Sequence, residues 1–182
     1  MHFIILDRDG VINFDSEDYI KTPSEWVAIP GSLEAIADLN RAGYQVLVAT
    51  NQSGIARDLY DLATLDAIHE KMQHELNKVG GYIDAIYFCP HHPDEQCACR
   101  KPKTGMFEAM RMQFPVNFAD TFFIGDKWSD VEAALAIGCK PILIQKNNMV
   151  NFQAARSNVL QFSSLKEAVQ HVLKQRVITK LF

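Results

Sequence analysis

The chain has no apolar run approaching the roughly 18 residues that a membrane helix needs, and no repeat, low-complexity tract or linker. It has no excess of positive charge: 18 Lys and Arg against 22 Asp and Glu leave a formal net charge of −4. A chain of that sign has no global electrostatic footprint for nucleic acid, although a local basic pocket for an anion stays open. Cysteine is scarce. Four residues are too few for a disulfide scaffold, and a reducing compartment keeps them as thiols. The opening Met1-His2-Phe3-Ile4-Ile5-Leu6-Asp7 lacks the basic stretch of a signal peptide, so a cytoplasmic protein is expected. What is present is ordinary globular composition, 48% hydrophobic and 22% charged over 182 residues. That length supports one domain, 1–182, with its own core.

Strands alternate with helices. Short apolar runs predict strands at Phe3–Leu6, Tyr44–Ala49, Ile83–Phe88, Thr121–Ile124 and Pro141–Ile144. Apolar stripes predict helices at Ser32–Ala42 before Gly43, from the cap Asp61 to Val79, and around Met106–Gln113. Ser129-x-x-Glu132 and Ser164-x-x-Glu167 read as capping boxes opening two more helices. Asp9 to Pro30 is a polar stretch without clear period. The pattern predicts an α/β fold, a three-layer Rossmann-like parallel sheet with helices on both faces. Ligands of such sheets sit beyond the carboxyl ends of the strands. Asp7, Thr50-Asn51, Cys89 and Asp126 all fall at predicted strand ends, so they are expected to converge on one edge.

Asp7-Arg8-Asp9-Gly10 puts two carboxylates near one rim, where a divalent cation or a shared proton is expected between them. Its plain alternative is a surface turn. Asp126 adds an oxygen for a hard cation such as Mg²⁺, or favours a helix dipole, a role that Asp130 suits better. Thr50-Asn51-Gln52-Ser53-Gly54 offers a hydroxyl and amides to phosphate oxygens, or forms a turn. Arg100 and Lys101 suit an anion, whereas Lys103 reads as solvated. Cys89, His91, Cys97 and Cys99 have the donor chemistry of a closed Cys₃His Zn²⁺ site. His92 is the weaker ligand, and Cys139 reads as a core thiol.

These motifs, in this order from residue 3 to about 145, resemble the haloacid dehalogenase superfamily of phosphohydrolases. Asp7-Arg8-Asp9-Gly10 matches its first motif, Thr50-Asn51 its second, Lys101 its third, and Gly125-Asp126 with Asp130 its fourth. The resemblance implies that Asp7 attacks phosphorus and forms an aspartyl-phosphate. Asp9 would be the acid and then the base. Thr50 and Lys101 would neutralise phosphate oxygens. Asp7, the Asp9 carbonyl and Asp126 would hold catalytic Mg²⁺, with Asp130 orienting the shell.

Within the superfamily, the zinc-binding loop at about 89–101 resembles two groups. One is the D-glycero-D-manno-heptose 1,7-bisphosphate 7-phosphatases of lipopolysaccharide-core precursor synthesis; the other is the histidinol-phosphate phosphatases. The loop spacing occurs in both. Ser53 and Lys127 favour the heptose group, because histidinol phosphatases tend to carry Asp and a different residue there. The resemblance then implies sugar contacts from Asp15, Ser16, Asp18, Tyr19, Asn51, Gln52, Ser53, Arg100 and Lys127. It implies a small-molecule sugar phosphate as partner; the charge balance and the lack of a long apolar run lead to the expectation of no nucleic acid and no membrane, and a monomer is expected. Zinc is expected to be structural. About twenty residues between Asp9 and the first helix leave no room for a large cap domain. A different class, a zinc-structured interaction module on a dead phosphatase fold, would have no need to keep Asp7, Asp9, Lys101 and Asp126.

Overall fold

The structure, a computed structural model, describes residues 2–145 and 159–179. Its strands are β1 (His2–Leu6), β2 (Tyr44–Asn51), β3 (Ala85–Cys89), β4 (Phe122–Gly125), β5 (Lys140–Ile144) and β6 (Leu160–Phe162). Its helices are α1 (Ser32–Arg41), α2 (Leu62–Lys78), α3 (Gly105–Gln113), α4 (Trp128–Ile137) and α5 (Leu165–Thr179). The strands form one sheet in the order β3-β2-β1-β4-β5-β6, with every pairing parallel. Parallel strands need long crossovers, and these the helices provide. Among the described residues no helix is long and apolar enough to cross a membrane.

The strand period of two divides β1 between both faces. Ile4 and Leu6, with Val46 and Val48, pack against Ile36 and Leu39 of α1, Ile68 and Met72 of α2, and Val169 and Val172 of α5. Phe3 and Ile5, with Leu47 and Ala49, pack against Phe107 and Met110 of α3 and Ala133 and Ala134 of α4. A strand buried on both faces reads as a continuous apolar run, which is how Phe3 to Leu6 reads.

Three expectations are corrected. The sheet has a sixth strand, β6, whose three residues are too few to show a period. The capping box at Ser129-x-x-Glu132 does not form: the N-cap is Lys127, two residues earlier, and the Asp130 carboxylate accepts its N–H at 3.0 Å. The stretch from Asp9 to Pro30 is not merely polar, since it buries Val11, Ile12, Ile20 and Trp26. Only a 3-10 turn, Pro23–Glu25, interrupts it, so no cap domain stands there. Asp61 caps α2 as expected, accepting from the Thr64 N–H at 2.8 Å.

Candidate active site

The chain runs outward from β1 through β2 to β3, then returns to the other side of β1 for β4. That reversal opens a crevice past the ends of β1 and β4. Asp7 directly follows β1 and Asp126 directly follows β4, so the topology places both carboxylates there. Asp7, Asp126 and Asp130 bring one oxygen each within 4.8 Å of one another.

Two glycines make this approach possible. Gly10 has φ +82, and a Cβ on it would lie 2.0 Å from Asp126 Oδ2. A Cβ on Gly125 would lie 2.3 Å from the Asp130 Cβ.

Lys101 enters from the loop after β3. Its Nζ lies 2.9 Å from Asp7 Oδ1 and 2.7 Å from Asp130 Oδ1, and donates to the Ala49 carbonyl at 2.8 Å. Burial disfavours the ammonium, but Asp130 and Asp7 outweigh it and raise its pKa. Burial raises the Asp7 carboxyl to about 7, against the pull of Lys101 and with the push of Asp130, Asp126 and Asp9. A carboxylate so placed is one that a divalent cation would stabilise. Hard oxygen donors at this spacing fit Mg²⁺. Asp130 is the least available of the three, because its other oxygen accepts the Lys127 N–H at 3.0 Å.

Asp9 has a different environment. Its Oδ1 accepts from Arg8 Nε at 3.0 Å and Asn13 Nδ2 at 2.8 Å. Its Oδ2 accepts from Arg8 Nη2 at 3.0 Å and Gln52 Nε2 at 2.8 Å. Burial opposes ionisation, but the Arg8 charge and these hydrogen bonds hold the carboxyl below its ordinary range.

Asp7, Asp9, Lys101 and Asp130 line a cleft of about 500 Å³. Of those expected to meet a sugar, Asp15, Ser16, Tyr19, Asn51, Gln52, Ser53, Arg100 and Lys127 line it together with Asp7, Asp9, Thr50 and Lys101. Asp18 is not among the lining residues; its N–H donates to Ser16 Oγ at 3.2 Å and its carbonyl accepts from Lys21 Nζ at 2.8 Å. Glu17, which the sequence reading passed over, lines the cleft instead. Two of the expected contacts already have protein partners. Asn51 clamps the Lys101 backbone, accepting its N–H at 3.1 Å and donating to its carbonyl at 3.2 Å. Gln52 donates to Asp9 and Thr50 and accepts from Arg8 and Tyr60. Lys127 reaches Asp15 at 2.9 Å, tying the loop after β1 to the end of β4.

Arg8, Asn13, Tyr60 and His69 were missed as site residues. Arg8 and Asn13 had a signal, being within four residues of Asp9. Tyr60 comes from the turn before α2 and His69 from the middle of that helix, and nothing in their spacing points to Asp9.

Beside the cleft, Cys89, His91, Cys97 and Cys99 converge with their ligand atoms within 4.8 Å. The sulfurs stand 3.2 to 3.5 Å apart, and His91 Nδ1 is 3.2 Å from Cys99 Sγ. Three thiols and an imidazole fit tetrahedral Zn²⁺. His92 lies outside the group: it caps a 3-10 turn at Pro93–Glu95. Cys139 is a core thiol, pushed up to about 12 by burial.

Residues 3–155 match the family model described as polynucleotide kinase 3 phosphatase. D-glycero-beta-D-manno-heptose-1,7-bisphosphate 7-phosphatase of Bordetella bronchiseptica is 52% identical over 148 residues, 81% of this chain and 83% of that protein. The enzyme of the same name from Pseudomonas putida is 53% identical over 145 residues, 80% of this chain and 83% of that protein. A crystal structure of D,D-heptose 1,7-bisphosphate phosphatase from B. bronchiseptica, complexed with magnesium and phosphate, superposes with a TM-score of 0.87. It is 44% identical and covers 96% of this chain and 99% of that one.

Proposed function

Because the chain belongs to the haloacid dehalogenase-like family of D-glycero-beta-D-manno-heptose-1,7-bisphosphate 7-phosphatases, we propose that it removes the 7-phosphate of that sugar bisphosphate. The observation that carries this is the meeting of Asp7, Lys101 and Asp126 at the switch point of the sheet, under a cleft of about 500 Å³. The reading includes a single domain, a cytoplasmic monomer, and a place in the synthesis of lipopolysaccharide-core heptose. The matched family model is named for a nucleic-acid end phosphatase. A net charge of −4 speaks against a polynucleotide substrate here.

The residues divide the work as follows. An oxygen of Asp7 attacks phosphorus, the bond from phosphorus to the sugar oxygen breaks, and an aspartyl-phosphate forms. Asp9 gives a proton to the departing sugar oxygen. It then takes a proton from a water that attacks the same phosphorus, releasing inorganic phosphate and restoring Asp7. Asp9 as found accepts four hydrogen bonds, which suits the base of the second half. For the first half one of those donors must turn away. Lys101 and the Thr50 hydroxyl oppose charge on the transferring oxygens, a contribution of position and field. Asp7, the Asp9 carbonyl and Asp126 would hold Mg²⁺, which when bound withdraws charge from a phosphate oxygen. Asp130 holds Lys101 and the start of α4. Arg100 and Lys127 face the remaining phosphate of the substrate. Zinc would fix the loop that carries Arg100 and Lys101.

Phosphate release with Mg²⁺, compared between the heptose bisphosphate and histidinol phosphate, tests the reading, with Asp7→Asn as the blank. Preference for the heptose and an inert Asp7→Asn are expected. Preference for histidinol phosphate would keep the chemistry and overturn the substrate; activity in Asp7→Asn would overturn the nucleophile.

A further inference from the structure

Arg8 is an unusual group to find fully buried, with about 1% of its side chain exposed. A guanidinium is always charged, so a site that buries one must satisfy its donors. Three of its neighbours do so: the carboxylate of Asp9 in a two-pronged pair, Gln52 Oε1 at 3.0 Å, and His69 Nε2 at 3.2 Å from Arg8 Nη1. Nη1 has only hydrogens to offer, so His69 Nε2 must accept, and the ring carries its proton on Nδ1. Burial and then the positive charge of Arg8 push His69 down to about 4, in keeping with a neutral ring. Tyr60 donates to Gln52 Oε1 at 2.7 Å and completes a shell around Arg8 and Gln52. That shell fixes two of the three groups that hold the Asp9 carboxylate.

We propose that His69 is a positioning residue for the acid–base carboxylate: it sets the plane of Arg8, and Arg8 sets the direction of Asp9. This rests on the reading of Asp9 as the acid and base. His69 lies 61 residues from Arg8, on α2 at the edge of the apolar stripe of Leu65, Ile68 and Met72, and its half-buried ring stands 6.3 Å from that of Phe88. An imidazole with no part in the chemistry does not need its acceptor nitrogen on a guanidinium. Replacing that acceptor by hydrocarbon leaves a buried donor without a partner. Arg8 then turns to find one, and the carboxylate follows.

The test uses His69→Leu, His69→Gln, Asp9→Asn and the double variant Asp9→Asn with His69→Leu, all assayed on heptose 1,7-bisphosphate with Mg²⁺. His69→Leu is expected to lower kcat about 10-fold, part of the 10²–10⁴ that acid–base help supplies, with KM held within about twofold. His69→Gln keeps an acceptor for Nη1 and is expected to recover most of the rate. In the Asp9→Asn background, His69→Leu is expected to cost nothing more, since both act through one carboxylate. A raised KM with kcat intact, a His69→Gln as slow as His69→Leu, or full additivity with Asp9→Asn would each overturn the assignment. If Asp9→Asn is slow and His69→Leu is not, this inference alone falls. If Asp9→Asn keeps the full rate, the acid–base reading of Asp9 falls and takes this one with it.

Discussion

Gly10→Ala is the smallest change that tests how the site is assembled. The new methyl would meet Asp126 Oδ2 at 2.0 Å and its Cγ at 2.4 Å. Nonbonded heavy atoms settle at about 3.5–4.0 Å, so the carboxylate must retreat by roughly 1.5 Å. The backbone adds a second term, since φ at this residue is +82 and an alanine there costs about 1–2 kcal/mol. In a domain of this length each kcal/mol lowers Tm by about 2–4 °C, so a drop of about 2–8 °C is expected with the fold intact. Activity should fall much further. A displacement on the order of 1 Å at a reacting centre can cost about 10²-fold, and Asp126 is the carboxylate that would share Mg²⁺ with Asp7. Phosphate release titrated against Mg²⁺, beside a thermal melt, separates the two effects. The expected result is a rate down by about 10²-fold at the wild-type Mg²⁺ concentration, partly recovered at higher Mg²⁺. Unchanged Mg²⁺ dependence and rate would refute the claim that Gly10 exists to admit Asp126.

Lys101→Met leaves Asp7 and Asp130 buried without their shared cation, and breaking a buried pair typically costs about 3–5 kcal/mol. A carboxyl whose folded pKa is raised lends stability at low pH and loses it as pH rises. Asp7 already sits at about 7 beside Lys101, so without added Mg²⁺ the deficit of the variant should be larger at pH 8 than at pH 5, read by urea melts. A deficit equal at both pH values would contradict this. Stripping zinc with a chelator, then restoring Mg²⁺ in excess, is expected to raise KM while the far-ultraviolet circular dichroism keeps its sheet and helix signal. Global loss of that signal would contradict a role confined to the loop.

The framework was legible because its cause is local. Apolar runs bounded by Asp or Gly mark central strands, and three of the four motifs fell in order at strand ends, with Lys101 in the loop after β3. The zinc ligands were legible because they lie within eleven positions of one another. What escaped depended on contacts between distant segments. β6 is too short to show a period, and pairs only because β5 offers an edge. The start of α4 was misplaced by two residues because Asp130, inside the helix, accepts the Lys127 N–H, and a Ser–Glu spacing mimicked the signal. The Arg8 shell was invisible for the same reason. A histidine on a helix carries no mark of the guanidinium it meets.

The division of the site between the two halves of the sheet follows from this topology. β1 and β4 set the carboxylates, and they are central strands packed on both faces, so Asp7 and Asp126 stand on backbone held from both sides. Lys101 has no strand of its own. Its position is built by three separate devices: the Ala49 carbonyl that receives its ammonium, the Asn51 amide that grips its backbone on both sides, and the four zinc ligands that begin at the end of β3 and stop two residues before it. β2 supplies the first two and β3 anchors the third. Loosening the zinc loop therefore removes one restraint of three. That is why chelation should act on Lys101 and Arg100, and so on anion binding, while leaving Asp7 and Asp126 where β1 and β4 hold them.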